Sequence, residues 1–297
     1  SMTTFYMLIG LPASGKSTYI KEHFDDDIVF SSDKIREECF GDVNDQTHNN
    51  EVFKRLVKLV KANLRNKQDA VYDATNINYK RRMHLLKDIS HLKIKKVAIF
   101  MATPYDICLK NNQQRDRHVP EEVINNMYRK FNVPYYYEGW DEIIVINRFK
   151  NRVKYSDLFN PDTGFDKYNQ FSSNHQYTLG KHLRETFEYI KYRTDDIELK
   201  SAALLHDIGK PKTQVFANAQ GEVDTEAHYY NHQYVGAYDS MFVESNCNTL
   251  KRAMYIMWHE QPRFINLPKT QRKYMRLWKE NIYNNIFLLH NCDDAAH

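Results

Sequence analysis

Two groups of residues have the types and spacing to do chemistry. The first is Gly10-Leu11-Pro12-Ala13-Ser14-Gly15-Lys16-Ser17-Thr18, a GxxxxGKS pattern directly after the apolar run Phe5–Ile9. Between a strand and a helix, such a segment wraps backbone N–H groups around an anion. Lys16 would then reach the β- and γ-phosphates of a nucleoside triphosphate, and Ser17 would hold its Mg²⁺. The second group lies in the C-terminal half: the adjacent pair His206-Asp207, with His175 before it and His228, His232, His259 and Asp293 after it. Imidazole and carboxylate aimed at one point are metal ligands, and two of them rarely fix a catalytic ion, so further ligands are needed. A lone histidine near a helix end is more often a cap or a packed core residue. An ordered series H…HD…H…H…D on successive helices is harder to explain that way.

More polar residues follow the first motif. Asp33, in Ser31-Ser32-Asp33-Lys34-Ile35-Arg36, stands after the second expected strand, at the end of a parallel sheet where ligands bind. It could accept the proton of an attacking hydroxyl or cap a helix; position alone does not choose. Asp73-Ala74-Thr75-Asn76 follows the third strand, with Arg81 and Arg82 beyond it. Arg115 and Arg117, in Gln114–Pro120, suit a lid closing on a transferring phosphate, the alternative being a solvated charged loop.

These residues need elements to position them. Apolar runs at Phe5–Ile9, Ile28–Phe30, Ala70–Tyr72, Val97–Met101 and Ile143–Ile146 read as buried strands. Helical stretches between them are expected over Ser17–His23, Thr47–Asn66, Tyr79–Ser90, Pro104–Gln114 and Pro120–Lys130. Alternation of this kind predicts a parallel sheet covered on both faces. Residues 149–171, with Asn160-Pro161-Asp162 and Asp162-Thr163-Gly164, have no clear period and read as a linker or arm. Beyond it the period is helical almost throughout, apart from a polar stretch around Asn218–Gly221. The expected fold class is therefore α/β over residues 1–148, followed by an all-α domain over 172–297.

Bulk properties set outer limits. A chain of 297 residues suits two ordinary domains, and 42% hydrophobic residues suffice for two cores. A net charge of +4 permits a nucleic-acid partner without demanding one. Cys39, Cys108, Cys247 and Cys292 form no CxxC pair and read as free thiols in a reducing compartment. No stretch is long and apolar enough for a membrane, and no secretion signal opens the chain, so the cytoplasm is expected. Ser1 ahead of Met2 reads as an expression remnant.

The first-half array resembles the 5′-hydroxyl polynucleotide kinase domain of phage and bacterial end-healing enzymes. It comprises GxPxSGKST, SxDxxR, an Asp-x-Thr-Asn element with a following helix arginine, and a lid ending in Val119-Pro120. The resemblance covers about residues 3–148. It implies that Asp33 is the general base and that Arg36 holds the polynucleotide's terminal phosphate. Asp73, Asn76 and Arg81 would serve the acceptor, and Arg115, with Arg117 as a second candidate, the γ-phosphate.

The second half resembles the HD-domain metal phosphohydrolases over about residues 172–297. That resemblance implies one metal on His175, His206, Asp207 and Asp293. It places a second on His232 and His259, with Asp207 bridging, His228 competing with His232, and Lys210 near substrate phosphate. Mn²⁺, Co²⁺, Ni²⁺, Fe²⁺ and Mg²⁺ all suit such ligands.

Together the two resemblances imply ATP-dependent phosphorylation of 5′-hydroxyl ends, and hydrolysis of 2′,3′-cyclic or 3′-phosphate ends. RNA is the expected partner, DNA the alternative, with an RNA ligase to seal the product. The setting would be a bacterial cytosol, with a phage-encoded origin open and a homo-oligomer compatible. Two other readings stay open. One is a small-molecule or nucleoside kinase joined to a nucleotidase; the other makes the HD half a non-catalytic module that binds RNA.

Overall fold

The structure is a computed structural model that describes residues 1–162 and 164–297. Of the expected arm, Asp162-Thr163-Gly164 includes Thr163, which lies outside the described residues. Two compact units divide the chain: Ser1–Tyr128 with Pro134–Arg148, and Arg129–Val133 with Phe149–His297.

In the first unit, β1 (Thr4–Ile9) leads into α1 (Lys16–His23), β2 (Val29–Ser31), α2 (Ser32–Phe40), α3 (Asn49–Arg65) and β3 (Ala70–Asp73). Then follow α4 (Tyr79–Asp88), β4 (Lys95–Met101), α5 (Tyr105–Gln113), α6 (Glu121–Arg129) and β5 (Glu142–Ile146). All five strands are parallel, in the order β2-β3-β1-β4-β5. Leu8, Val71, Val97, Ile99 and Met101 pack with Ile20 of α1 into one apolar cluster. In α3 the residues Val52, Leu56, Val60 and Leu64 form a buried stripe at helical spacing.

Helix α2 was not among the expected helices. Its sequence SDKIREECF is mostly polar, and Ser31 caps it by accepting from the Lys34 N–H.

A buried ion pair locks the loop after β3. Arg82 donates to both Glu138 carboxylate oxygens at 2.7 and 2.8 Å, and to the Asn76 carbonyl at 2.8 Å. Glu138 also accepts from the Trp140 indole and the Tyr135 N–H. Removing one partner of a buried pair strands the other charge. Arg82→Ala is therefore expected to destabilise this unit by about 3–5 kcal/mol, read as a lowered midpoint in denaturant titration. An unchanged midpoint would refute that role.

The second unit carries α7 (Tyr155–Leu158), α8 (Leu179–Ile190), α9 (Ile197–Leu205), α10 (Lys210–Thr213), β6 (Val215–Ala217) and β7 (Val223–His228). It continues with α11 (His232–Ser240), α12 (Thr249–Trp258) and α13 (Pro268–Ala295). Side-chain oxygens of Thr178, Asp196 and Asn248 accept from backbone N–H groups and so start α8, α9 and α12. Every α12 residue except Lys251 is buried, which makes it the core helix. The polar stretch around Asn218–Gly221 is the turn of an antiparallel hairpin, β6–β7, so this unit is not purely helical. Among the described residues, no helix is long and apolar enough to cross a membrane.

Candidate active sites

The GxxxxGKS segment is the turn between β1 and α1. Gly15 caps the helix with φ 102°, a left-handed conformation that L side chains rarely adopt. The Gly10 N–H donates to the Thr75 carbonyl at 3.0 Å, tying this loop to the segment after β3. Lys16 Nζ donates to the Gly10 and Leu11 carbonyls at 2.9 and 2.7 Å. Burial pushes the Lys16 ammonium down from its ordinary value, opposed chiefly by Asp73. Burial likewise raises the Asp73 carboxyl, opposed by Lys16.

A cleft of about 420 Å³ opens over this loop. Pro12, Ala13, Gly15, Lys16, Ser17 and Thr18 line one side, and Asp33, Arg36, Asp73 and Arg115 complete the charged set. Asp33 accepts from Arg36 at 3.0 Å while its own side chain stays largely exposed. Arg36 is buried and also donates to Asn49. Gly10 and the buried Ser14 support the loop from beneath, Ser14 accepting at its carbonyl from Thr103.

Three expected contributors sit elsewhere. Arg117 bonds Glu37 at 2.7 Å and is not among the cleft-lining residues. Asn76 turns its amide to the Leu8 carbonyl and, with Arg81, lines a neighbouring cavity. The exposed position of Arg81 contrasts with Arg82, whose ion pair makes it a scaffold residue.

The second site is built at helix ends. His206 and Asp207 follow α9, His259 and Glu260 follow α12, His232 opens α11, and Asp293 lies in the last turn of α13. Gly209 lets two backbones approach: a Cβ there would lie 2.2 Å from the His232 carbonyl. The two carboxylate oxygens of Asp207 face different partners. Oδ2 lies 3.2 Å from His182 and 3.4 Å from His206. Oδ1 lies 3.1 Å from His232 and 3.2 Å from His259. Asp293 closes the first group, 2.9 Å from His182 and 3.2 Å from His206. Glu260 closes the second, 3.2 Å from His259. Each group has two imidazoles and two carboxylates, with all ligand atoms within 4.8 Å of one another.

The donor set fits divalent metal ions. All four histidines place Nδ1 on a backbone carbonyl: Ala296, Ala203, Tyr229 and Ile256 for His182, His206, His232 and His259. A carbonyl only accepts, so Nδ1 carries the proton and the Nε2 lone pair faces inward. Those lone pairs stand 3.1 Å apart in one group and 3.3 Å in the other. The buried Asp207 Oδ1 accepts no hydrogen bond although two ring nitrogens are close.

Burial disfavours charge on His182, but Asp207 and Asp293 outweigh it and raise its pKa to about 9. Asp207 and Glu260 similarly outweigh burial at His259, raising it to about 10. Residues His182 and His259 would have to give up these protons to hold a divalent ion.

His182, not His175, joins the first group. Thr178 starts α8, so His175 lies ahead of the helix, while His182 falls on its buried stripe with Leu179, Leu183, Thr186 and Ile190. The His175 ring stands 5.5 Å from that of His182, and burial lowers its pKa to about 4. His182→Ala is expected to lose about one bound ion per chain, and His175→Ala none; metal analysis of the purified variants decides. Equal loss in both would return His175 to the ligand set. His228 is occupied with Asp224 at 2.8 Å. Lys210 is buried, 3.2 Å from Asp207 and bonded to Gln170. Sequence reasoning missed both His182 and Glu260. The apolar spacing around His182 was a usable signal; Glu260 offered only its adjacency to His259.

Fold and sites define the class: a P-loop kinase-type domain followed by an HD domain. Residues 5–134 match the AAA domain family AAA_33, and residues 173–260 match the HD domain. The chain is similar to the L-seryl-tRNA(Sec) kinase of Methanococcus maripaludis, 30% identical over 161 residues, or 52% of this chain. It spans 62% of that relative's length. Similar solved structures include a chain of the Pnkp1/Rnl/Hen1 RNA repair complex at 23% identity and TM-score 0.35, covering 42% of this chain and 43% of that one. A second structure of a Pnkp1/Rnl/Hen1 complex matches at 20% identity and TM-score 0.32, covering 65% and 67%.

Proposed function

We propose that the protein heals broken RNA ends, phosphorylating 5′-hydroxyls with ATP and hydrolysing 2′,3′-cyclic or 3′-phosphates. The reading rests on one pairing: a P-loop cleft with an acceptor-side Asp33–Arg36 couple, and a carboxylate shared by two histidine pairs, in the same chain.

In the first site Lys16 and Arg115 would hold the transferring phosphate, Ser17 would hold the nucleotide's Mg²⁺, and Asp33 would take the hydroxyl proton. Arg36 orients Asp33 and grips the acceptor's phosphate. Arg117, whose side chain is bonded to Glu37, stays the second lid candidate. In the second, His182, His206, Asp207 and Asp293 would hold one ion, and His232, His259, Glu260 and Asp207 the other. The chemistry such ions would supply is a clamp on the substrate phosphate and a water made acidic enough to attack it. Lys210 offsets the Asp207 charge beside the substrate. Sealing would fall to an RNA ligase, and DNA ends are the competing substrate.

The similarity to the seryl-tRNA(Sec) kinase favours a second acceptor, the hydroxyl of an RNA-linked amino acid. One experiment separates these readings: ATP, a divalent metal and an RNA with 5′-hydroxyl and 2′,3′-cyclic phosphate ends, each end analysed separately, beside seryl-tRNA. Conversion of both RNA ends supports end healing. Labelling of seryl-tRNA alone overturns it.

A further inference from the structure

A second cavity, of about 410 Å³, lies beside the P-loop cleft, and Phe53 and Thr75 line both. We propose that this groove, between α3 and α4, binds the acceptor nucleotide next to the reacting one, with its base on Phe53 and its phosphate on Lys80 and Arg81. The proposal rests on the kinase reading above and adds a second acceptor subsite to it.

The walls of the groove are apolar. Phe53 and Val57 stand one turn apart on α3 and are only half-buried, next to the helix's fully buried stripe. Met7, Tyr72, Ile77 and Leu85 complete the apolar lining. The rim is basic. Lys80, Arg81 and His84 line it and are exposed, and neither Lys80 nor Arg81 makes an ion pair among the described residues. Asp88 is the one carboxylate among the described lining residues, and it lies 3.6 Å from Lys61. An aromatic wall under a cationic rim is what a base with its phosphate requires. The volume is that of a small-ligand site.

Position selects the acceptor rather than the donor. In-line transfer puts the attacking and leaving oxygens on opposite sides of the phosphorus. The Arg36 guanidinium stands over the Phe53 ring at 5.6 Å, so the groove opens on the Asp33–Arg36 side. The donor's base must leave the other way.

The test compares KM for ATP and for three acceptors: a nucleoside 3′-monophosphate, a dinucleotide carrying a 3′-phosphate and a ten-residue RNA. Phe53→Ala should raise KM for the two longer acceptors about tenfold, the size of one lost base stack, with far smaller changes for the mononucleotide and ATP. Phe53→Tyr should restore stacking. Arg81→Ala, at an exposed site where folding is not at stake, should weaken the same two acceptors and flatten their salt dependence. Unchanged KM for the long acceptors, or an equal rise for mononucleotide and ATP, overturns the subsite. Wild-type protein that phosphorylates no 5′-hydroxyl of any length instead overturns the kinase reading, and the subsite with it.

Discussion

Asp207→Asn is expected to abolish phosphohydrolysis while leaving phosphorylation of a 5′-hydroxyl RNA unchanged. Asp207 is the only residue common to both ligand groups, one oxygen facing each. Replacing it with a neutral amide removes the shared charge from four imidazoles at once. Outer partners of metal ligands already change affinity or activity about 10–100-fold, so loss of the one carboxylate that faces both groups should lower the rate by on the order of 10³-fold or more. Two measurements decide: metal per chain, and hydrolysis of an activated phosphodiester such as bis(p-nitrophenyl) phosphate. Full metal content with full rate would remove Asp207 from the site. Parallel loss of kinase activity would show that the two chemistries are not separate.

The second large effect is at Asp33. Asp33→Asn should reduce phosphoryl transfer about 10²- to 10⁴-fold, the range of a lost general base, with little change in KM for ATP. Little stability is at stake. The Asp33–Arg36 pair is exposed on the Asp33 side, and such pairs contribute about 0–1 kcal/mol. A rate loss without a shift in the unfolding midpoint therefore reports chemistry. Near-normal turnover would reduce Asp33 to an acidic residue in the first turn of α2, a helix that Ser31 and not Asp33 caps.

Much of the first site was legible because its information is local. The loop's glycines and Lys16 depend on neighbours within a few residues, and the flanking apolar runs mark the strand and helix they join. The five strands form close to where the runs stand. Arg82 was less legible. In sequence it is one of three adjacent cations, Lys80-Arg81-Arg82, and only the fold sends it inward to Glu138 while leaving Arg81 at the groove. Trp140 is buried and donates its indole N–H to the same carboxylate.

For the histidine site, the amino-acid sequence by itself determined the chemical types and the adjacent His206-Asp207 pair. It did not determine which histidine upstream completes the first group. His175 and His182 are seven residues apart, and where α8 begins separates them. Only tertiary structure brings Glu260 to the second group and splits the two Asp207 oxygens between histidine pairs on different helices. The physical reason is the range of the interactions. An anion loop is a property of consecutive backbone N–H groups, whereas a ligand cluster is assembled from helix ends far apart in the chain, and packing alone sets where those ends meet.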